Sequence, residues 1–182
     1  MAVLPQFGPI FAGEISFSDA IQPLNHENLR EFTDQIYDIY DAALADAADS
    51  EVVLVPNDPA ADPGTPGWTV GHLIAHLTAG LEENAAQASS LARGVNTEGR
   101  SRNEAPWETI TAADQVRHRL RESRKMVRGL WQAWPDQPDL NNTMLFIERI
   151  GHINAVGRYA VGLMHAMSHV EQVREALRQA RA

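Results

Sequence analysis

The prolines of this 182-residue chain cluster in short segments and leave long stretches in which a helix can run uninterrupted. Three prolines lie among the first 25 residues, four within residues 56–67, and two within residues 135–143. Because proline inside a helix removes a hydrogen bond and clashes with the preceding turn, each cluster predicts a break between helices. We predict another break at residues 94–106, which are polar and contain glycine.

Between the breaks, apolar residues recur with the 3.6-residue period of an amphipathic helix. This period predicts three helices at about residues 25–48, 69–93 and 111–134, and a fourth that includes residues 153–177 and starts near residue 143 at the earliest. The short apolar string EVVLV at residues 51–55 has no obvious partner strand, so we expect an extended linker there.

Residue types at the predicted helix ends agree with these bounds. Asn25 and Thr69 are typical N-cap residues, and Gly94 suits the position that follows a helix. Thr111 and Asp114 have the spacing of a capping box. Three glycines fall inside the predicted fourth helix, where they allow close packing or a bend: Gly151, Gly157 and Gly162.

Four amphipathic helices without a strand pattern predict an all-α fold, an antiparallel four-helix bundle. We assign residues 25–182 to this single domain and residues 1–24, which are rich in proline and glycine, to an irregular N-terminal strap.

Composition narrows the classes of function. The chain carries 15 Lys and Arg against 24 Asp and Glu, a net charge of −9, which argues against a nucleic-acid partner. No stretch reaches the roughly 18 apolar residues of a membrane helix, and no basic segment opens a signal peptide, so we expect a cytoplasmic protein without a membrane partner. Cysteine is absent, so a metal site must use His, Asp or Glu.

Two pairs among the seven histidines have i, i+4 spacing, His72 with His76 and His165 with His169. Residues four apart lie on one face of a helix, so two imidazoles can converge on one metal ion, and a third ligand from a facing helix would complete a three-histidine site with an open position. His76 lies on an apolar stripe and should point into the bundle, with His72 one turn earlier on the same face.

The remaining histidines are poorer ligands. His152 would lie about 220° around the helix from His165, His118 lies among arginines, and His26 lies at a helix start. The alternative interpretation is that both pairs are partly exposed or hydrogen-bonded histidines that bind no metal.

Two strings resemble those of the DinB/YfiT-like superfamily. One is WTV at residues 68–70 with a His-Leu pair at 76–77; the other is HAMSH at residues 165–169 followed by VEQV. The resemblance spans about residues 25–180. It implies a four-helix bundle with a divalent-metal site, commonly zinc or nickel, and its implied ligands are His76, His165 and His169. His72 has no role that the family pattern assigns. It is a fourth ligand, a group that contacts a ligand or, as we expect, a helix-start residue without chemistry.

The resemblance also implies an activity. Its characterised members are mostly S-transferases or isomerases that use a low-molecular-weight thiol such as bacillithiol or mycothiol, and they are often homodimers. We therefore expect a small-molecule substrate and a thiol-dependent reaction. Two alternatives stay open: a metal-dependent hydrolase with the same residues, and a non-enzymatic bundle for metal binding or dimerisation.

Further residues near these motifs have two interpretations each. Glu83 lies near the face of His76, but we expect a solvated carboxylate. Arg158 lies near the face of His165 and is a candidate for binding a substrate carboxylate. Trp107, Trp131 and Trp134 either line a pocket or belong to the core, and the core is the commoner case.

Charged residues repeat at helical spacing on the predicted first and third helices. The acidic stripe includes Asp34, Asp38 and Asp41, and the basic stripe includes Arg124 and Arg128. The basic stripe either anchors an anionic thiol or, as we expect, is solvated or faces the acidic stripe.

Overall fold

The structure is a computed structural model that describes residues 3–59, 61, 64–96, 99 and 102–182. The helices and strands, in chain order, are α1 (Phe7–Ala12), α2 (Phe17–Ile21), α3 (His26–Leu44), α4 (Asp49–Val53), α5 (Val70–Ala92), a 3-10 turn (Trp107–Thr109), α6 (Ala113–Gln132), β1 (Met144–Ile147), β2 (Gly151–Ile153), α7 (Ala155–Ser168) and α8 (Val170–Ala180). The predicted all-α bundle is confirmed, with α3, α5, α6 and the α7–α8 segment as its long members. Parts of the predicted strap and of the breaks at 56–67 and 94–106 lie outside the described residues, namely positions 1, 2, 60, 62, 63, 97, 98, 100 and 101.

Helix α5 is the centre of the bundle and packs against both α6 and α7. Most of its side chains are buried, because its sequence is dominated by alanine, glycine and leucine. Gly162 of α7 permits a close approach to α5, since a Cβ atom built there would lie 2.5 Å from Cβ of Asn84. The prediction that glycines of the last helical segment allow close packing is therefore confirmed for this position.

The helix ends agree with most of the predicted caps. The Asn25 side chain accepts the Asn28 N–H at 3.1 Å, and the Thr69 hydroxyl accepts the His72 N–H at the same distance. Gly94 follows α5 with a φ of +77°, a backbone conformation that suits glycine. The predicted capping box of Thr111 is wrong: α6 begins after Ala112, and the Gln115 side chain accepts the N–H groups of both residues instead.

The charged stripes of α3 and α6 face each other within the subunit. Arg124 pairs with Asp34 at 3.1 Å and with Asp38 at 2.7 Å, and Arg128 pairs with Asp34 at 2.7 Å. The expectation of facing stripes is confirmed. These two arginines join helices, and the structure gives no support to the alternative in which they anchor a thiol.

Two of the three tryptophans are core residues, as the commoner case predicts. Trp131 and Trp134 are buried, and the Trp131 indole N–H donates to the Tyr159 hydroxyl at 3.0 Å. Trp107 is partly buried and stacks on His72.

Three predictions of local structure are wrong. The EVVLV string is not wholly extended, since α4 ends within it at Val53. Residues 144–153 do not begin the last helix but form an antiparallel hairpin in which Met144 pairs with Ile153, and Gly151 has a φ of +83° at the start of β2. The strap over residues 1–24 is not irregular throughout, since it contains α1 and α2, which pack with the hairpin over α7 through a small apolar cluster.

No helix in the described ranges combines the length and the apolar character needed to cross a bilayer.

The last helical segment is broken rather than continuous, so that prediction is also wrong. Helix α7 ends at Ser168 and α8 begins at Val170. At the break, the Ala166 carbonyl accepts the Tyr40 hydroxyl at 2.5 Å and the His169 N–H at 3.2 Å. A carbonyl in a continuous helix would accept the N–H four residues later, so the tyrosine of α3 stabilises the break at this carbonyl.

Candidate metal centre

Three histidine rings meet at one end of the bundle. His76 comes from the second turn of α5, His165 from the last turn of α7, and His169 from the junction with α8. Nε2 of His165 lies 3.2 Å from Nε2 of His76 and 3.2 Å from Nε2 of His169. One ring nitrogen from each residue lies within 4.8 Å of the other two. The structure thus brings together the three histidines named from the sequence.

The spacing of these nitrogen atoms fits a metal site. Ligand nitrogens at 2.0–2.1 Å from a tetrahedral zinc ion are separated from each other by about 3.3 Å. The two Nε2–Nε2 separations of 3.2 Å, from His165 to His76 and to His169, are close to that value. The group could therefore hold one divalent cation without a large movement of its rings.

The Nδ1 atoms of two of these rings make contacts on the side that faces away from the group. Nδ1 of His76 lies 3.1 Å from a carboxylate oxygen of Glu104, and Nδ1 of His169 lies 2.7 Å from Oε1 of Gln172. Both oxygens are acceptors, and in a neutral imidazole a proton on Nδ1 leaves the lone pair on Nε2. The Gln172 contact therefore favours the tautomer of His169 that can bind a metal, whereas Nδ1 of His76 meets an acceptor and also a donor, the Arg102 guanidinium. A cation among the three nitrogens could take one lone pair from each ring.

Glu104 is itself held in place by Arg102. The Arg102 guanidinium donates to the Glu104 carboxylate and, at 3.0 Å, to the main-chain carbonyl of His76. The same Nη2 atom lies 2.5 Å from Nδ1 of His76, so this ring nitrogen meets both a donor and the Glu104 acceptor. A carboxylate behind a histidine that binds a metal orients the ring and raises its basicity.

The contact behind His169 is a neutral amide rather than a carboxylate. Nε2 of Gln172 donates to Asp58 at 2.7 Å, so the chain of hydrogen bonds ends on a loop that precedes α5. Gln179 fastens the same loop to α8 by accepting the Asn57 N–H at 2.8 Å and donating to the Asn57 carbonyl at 3.0 Å.

His72 is separate from the three-histidine group. Its ring lies between two indoles, with ring centroids 4.3 Å from Trp68 and 4.5 Å from Trp107. Burial in this sandwich lowers the pKa of His72, against the smaller opposing effect of Glu104 and Glu108. The structure gives it an aromatic packing role between these two indoles.

The other histidines do not belong to the three-histidine group, although the reason differs from the expected one for His152. His152 is on β2, so the argument from helical phase is wrong, and its side chain is exposed. His118 is exposed on α6. His26 packs against Trp131 and Trp134.

Beside His165 lies a cavity of about 620 Å³. Glu83 lines it and is only 5% exposed, so the expectation of a solvated carboxylate is wrong. Arg158 also lines the cavity, is 5% exposed, and donates to the side-chain oxygens of Asn84 and Gln87. A second cavity of about 650 Å³ lies on the side of His169, where Trp68 and Asp58 line it.

Sequence reasoning missed the groups behind the histidines. Gln172 lies three residues after His169, in the VEQV string that the sequence comparison already includes. Glu104 and Asp58 lie in predicted breaks, where no periodicity indicates which side chains turn towards a site.

Comparison with protein families finds a match to the DinB superfamily over residues 33–173, a range that includes all three histidines. Searches of curated proteins and of solved structures each found no match.

Proposed function

The chain belongs to the DinB superfamily, and we propose that it is a divalent-metal-dependent enzyme acting on a small molecule. His76, His165 and His169 are the proposed ligands, and zinc or nickel is the proposed ion. The observation that carries this proposal is the approach of three histidine rings, in which two Nε2–Nε2 separations of 3.2 Å are close to those of a tetrahedral ligand set and all ligand atoms lie within 4.8 Å of one another.

The residues around the histidines support metal-dependent chemistry at this group. Gln172 favours the tautomer of His169 whose Nε2 lone pair faces the centre, and Glu104 lies behind the ring of His76. Three neutral imidazoles leave the charge of a divalent cation uncancelled, and such a cation lowers the pKa of a thiol or a water molecule beside it. The cavity beside His165 offers a place of suitable size for a small organic substrate.

Transfer or isomerisation that depends on a thiol is our first choice of reaction. The chain has no cysteine, so the thiol would come from a separate small molecule such as bacillithiol or mycothiol. Hydrolysis is the second candidate, and one observation favours it: buried Glu83 lines the cavity next to His165, where a carboxylate can accept a proton from water.

Elemental analysis of protein purified without chelator tests the metal site. We expect about one zinc or nickel ion per chain, lost in His76→Ala and His165→Ala and retained in His118→Ala, which changes an exposed histidine on α6. Wild-type protein that takes up no ion after incubation with zinc or nickel would contradict the proposal.

The reaction is tested with the metal-loaded protein. Turnover of an electrophile only in the presence of a low-molecular-weight thiol supports the transferase or isomerase. Turnover of an ester without thiol supports the hydrolase instead. Metal binding without turnover in either assay would contradict an enzyme and leave a metal-binding bundle.

A further inference from the structure

The break between α7 and α8 lies between two of the proposed metal ligands. His165 is in the last turn of α7, and His169 is the residue at which the helix is interrupted, with a φ of −91° and a ψ of −5°. At this point the His169 N–H donates to the Ala166 carbonyl at 3.2 Å, three residues back rather than four. The relative position of the two rings therefore depends on the groups that maintain the break.

Two hydroxyl groups bind the carbonyls that the break releases. In a continuous α-helix the carbonyls of His165 and Ala166 would accept the N–H groups four residues later. Here the Ser168 hydroxyl donates to the His165 carbonyl at 2.7 Å, and the Tyr40 hydroxyl donates to the Ala166 carbonyl at 2.5 Å. Residues 163–172 contain no proline and no glycine, so insertion of side chains into the hydrogen-bond ladder is the cause of this kink.

Of these two hydroxyls, that of Tyr40 is the one that ties the break to the rest of the bundle. The Ser168 bond spans three residues, and serine makes such bonds within ordinary helices as well. Tyr40 comes from α3, is 1% exposed and belongs to the main apolar core. Because side chains in a packed core have little freedom to shift, the Tyr40 hydroxyl fixes the Ala166 carbonyl relative to α3.

The geometry of the break determines where the His169 ring lies. Helix α8 begins directly after His169 and carries Gln172, whose Oε1 lies 2.7 Å from Nδ1 of that ring. A change at the break would move His169 and Gln172 together relative to His165. It would thus alter the 3.2 Å separation of the two Nε2 atoms, and metal ligands tolerate errors of only about 0.2 Å in distance.

We propose that Tyr40 is a positioning residue for the metal centre. Its hydroxyl holds the Ala166 carbonyl out of the helical ladder, and this keeps the Nε2 atom of His169 beside that of His165. Tyr40 acts through the main chain of α7 and not as a ligand. This inference rests on the proposed function, because it concerns a metal ion bound by the three histidines.

Tyr40→Phe tests the proposal, since it removes the hydroxyl and keeps the buried ring. We expect the affinity for zinc to fall about tenfold, at the lower end of the range for groups that orient metal ligands. Competition with a chromogenic chelator measures the change. Tyr37→Phe is the matched control: Tyr37 lies on the same helix, is also 1% exposed, and its hydroxyl shares a hydrogen bond of 2.8 Å with Ser123 of α6. This control should bind zinc as the wild-type protein does.

Urea unfolding in EDTA separates positioning from general stability. Each variant loses one buried hydrogen bond, so we expect similar shifts of the two unfolding midpoints. A fall in zinc affinity that is confined to Tyr40→Phe supports the proposal. An unchanged affinity in Tyr40→Phe, or an equal fall in both variants, would overturn it.

Cobalt(II) in place of zinc gives a readout that a loss of stability alone does not change, because its visible absorption depends on the arrangement of ligands around the ion. At full occupancy we expect the absorption of Tyr40→Phe to differ in position or intensity from that of the wild-type protein. The absorption of Tyr37→Phe should match the wild type. A spectrum of Tyr40→Phe that is identical to the wild-type spectrum would overturn the proposal.

The wild-type protein separates this inference from the proposed function. Failure of the wild type to bind zinc or cobalt would overturn the proposed function, and this inference with it. Metal binding by the wild type, with the same affinity and spectrum in Tyr40→Phe, would overturn this inference alone.

Discussion

Nδ1 of His169 lies 2.7 Å from Oε1 of Gln172, so the proton of this imidazole is on the side away from His165. The other nitrogen, Nε2, lies 3.2 Å from His165 with its lone pair turned inward. Gln172 thus sets the tautomer that metal binding needs, although it lies outside the proposed ligand set.

Gln172→Leu should weaken metal binding about 10- to 100-fold, because the His169 ring loses the acceptor that orients it. Competition with a chromogenic chelator measures the change. Gln179→Leu is the control, since Gln179 ties the same loop to α8 without touching a histidine. An equal loss in both variants would show that Gln172 acts only by holding the loop.

Glu104→Gln should weaken metal binding about tenfold, with a larger loss for Glu104→Ala. Glutamine keeps an oxygen that can accept the His76 N–H, but it loses the charge that strengthens this bond and that holds Arg102. The same competition assay applies, with Glu108→Gln as an exposed control nearby. Unchanged affinity in both Glu104 variants would contradict the role.

Gly162→Ala should lower the free energy of unfolding by about 1–3 kcal/mol, because the new Cβ atom would lie 2.5 Å from Cβ of Asn84. Gly129→Ala is the matched control, since its Cβ meets no atom within 4 Å on α6, and it should add about 1 kcal/mol. Urea unfolding of both variants decides the matter; equal effects would mean that the α5–α7 contact is not tight.

Arg124→Met should lower the free energy of unfolding by about 1–2 kcal/mol, since this arginine joins three aspartates of α3 to α6. Burial alone would raise the pKa of Asp34, but hydrogen bonds and charges from Arg128 and Arg124 outweigh it and lower that pKa. Lys125→Met, which removes a pair within α6, should have no measurable effect. In 1 M salt the loss for Arg124→Met should shrink; a salt-independent loss would point to packing instead.

His72→Phe should make stability less dependent on pH. Burial lowers the pKa of His72 below 6.5, so the unfolded chain binds its proton more readily than the folded chain does. The wild-type protein therefore loses stability as pH falls below about 6.5, and this contribution vanishes in the variant, which keeps an aromatic ring between the indoles. Urea unfolding between pH 5 and 8 in EDTA measures the slope. Equal slopes in the two proteins would contradict the prediction.

The sequence predicts the long helices because each carries a continuous apolar stripe and residues that suit its ends. It does not predict the break at His169, since that break is stabilised by Tyr40, which is 126 residues away in sequence from the carbonyl it binds. The sequence does not predict the hairpin either, because its strands of four and three residues are too short to show a clear alternation of apolar and polar residues.

The sequence likewise predicts one part of the candidate site and not the other. His76, His165 and His169 are found from helical spacing and from the resemblance to a family. Glu104 and Asp58 lie in irregular segments, where side-chain direction depends on tertiary contacts that no local pattern records.

The three histidines lie on or beside long helices, whereas the carboxylates that end their hydrogen-bond chains lie on loops before α5 and after it. If the group binds an ion as proposed, helix packing decides where the ion is held, and the loops decide how strongly it is held. The position of the ion and the strength of its binding would therefore depend on separate parts of the chain. Substitutions in the loops can retune the centre while the bundle stays unaltered.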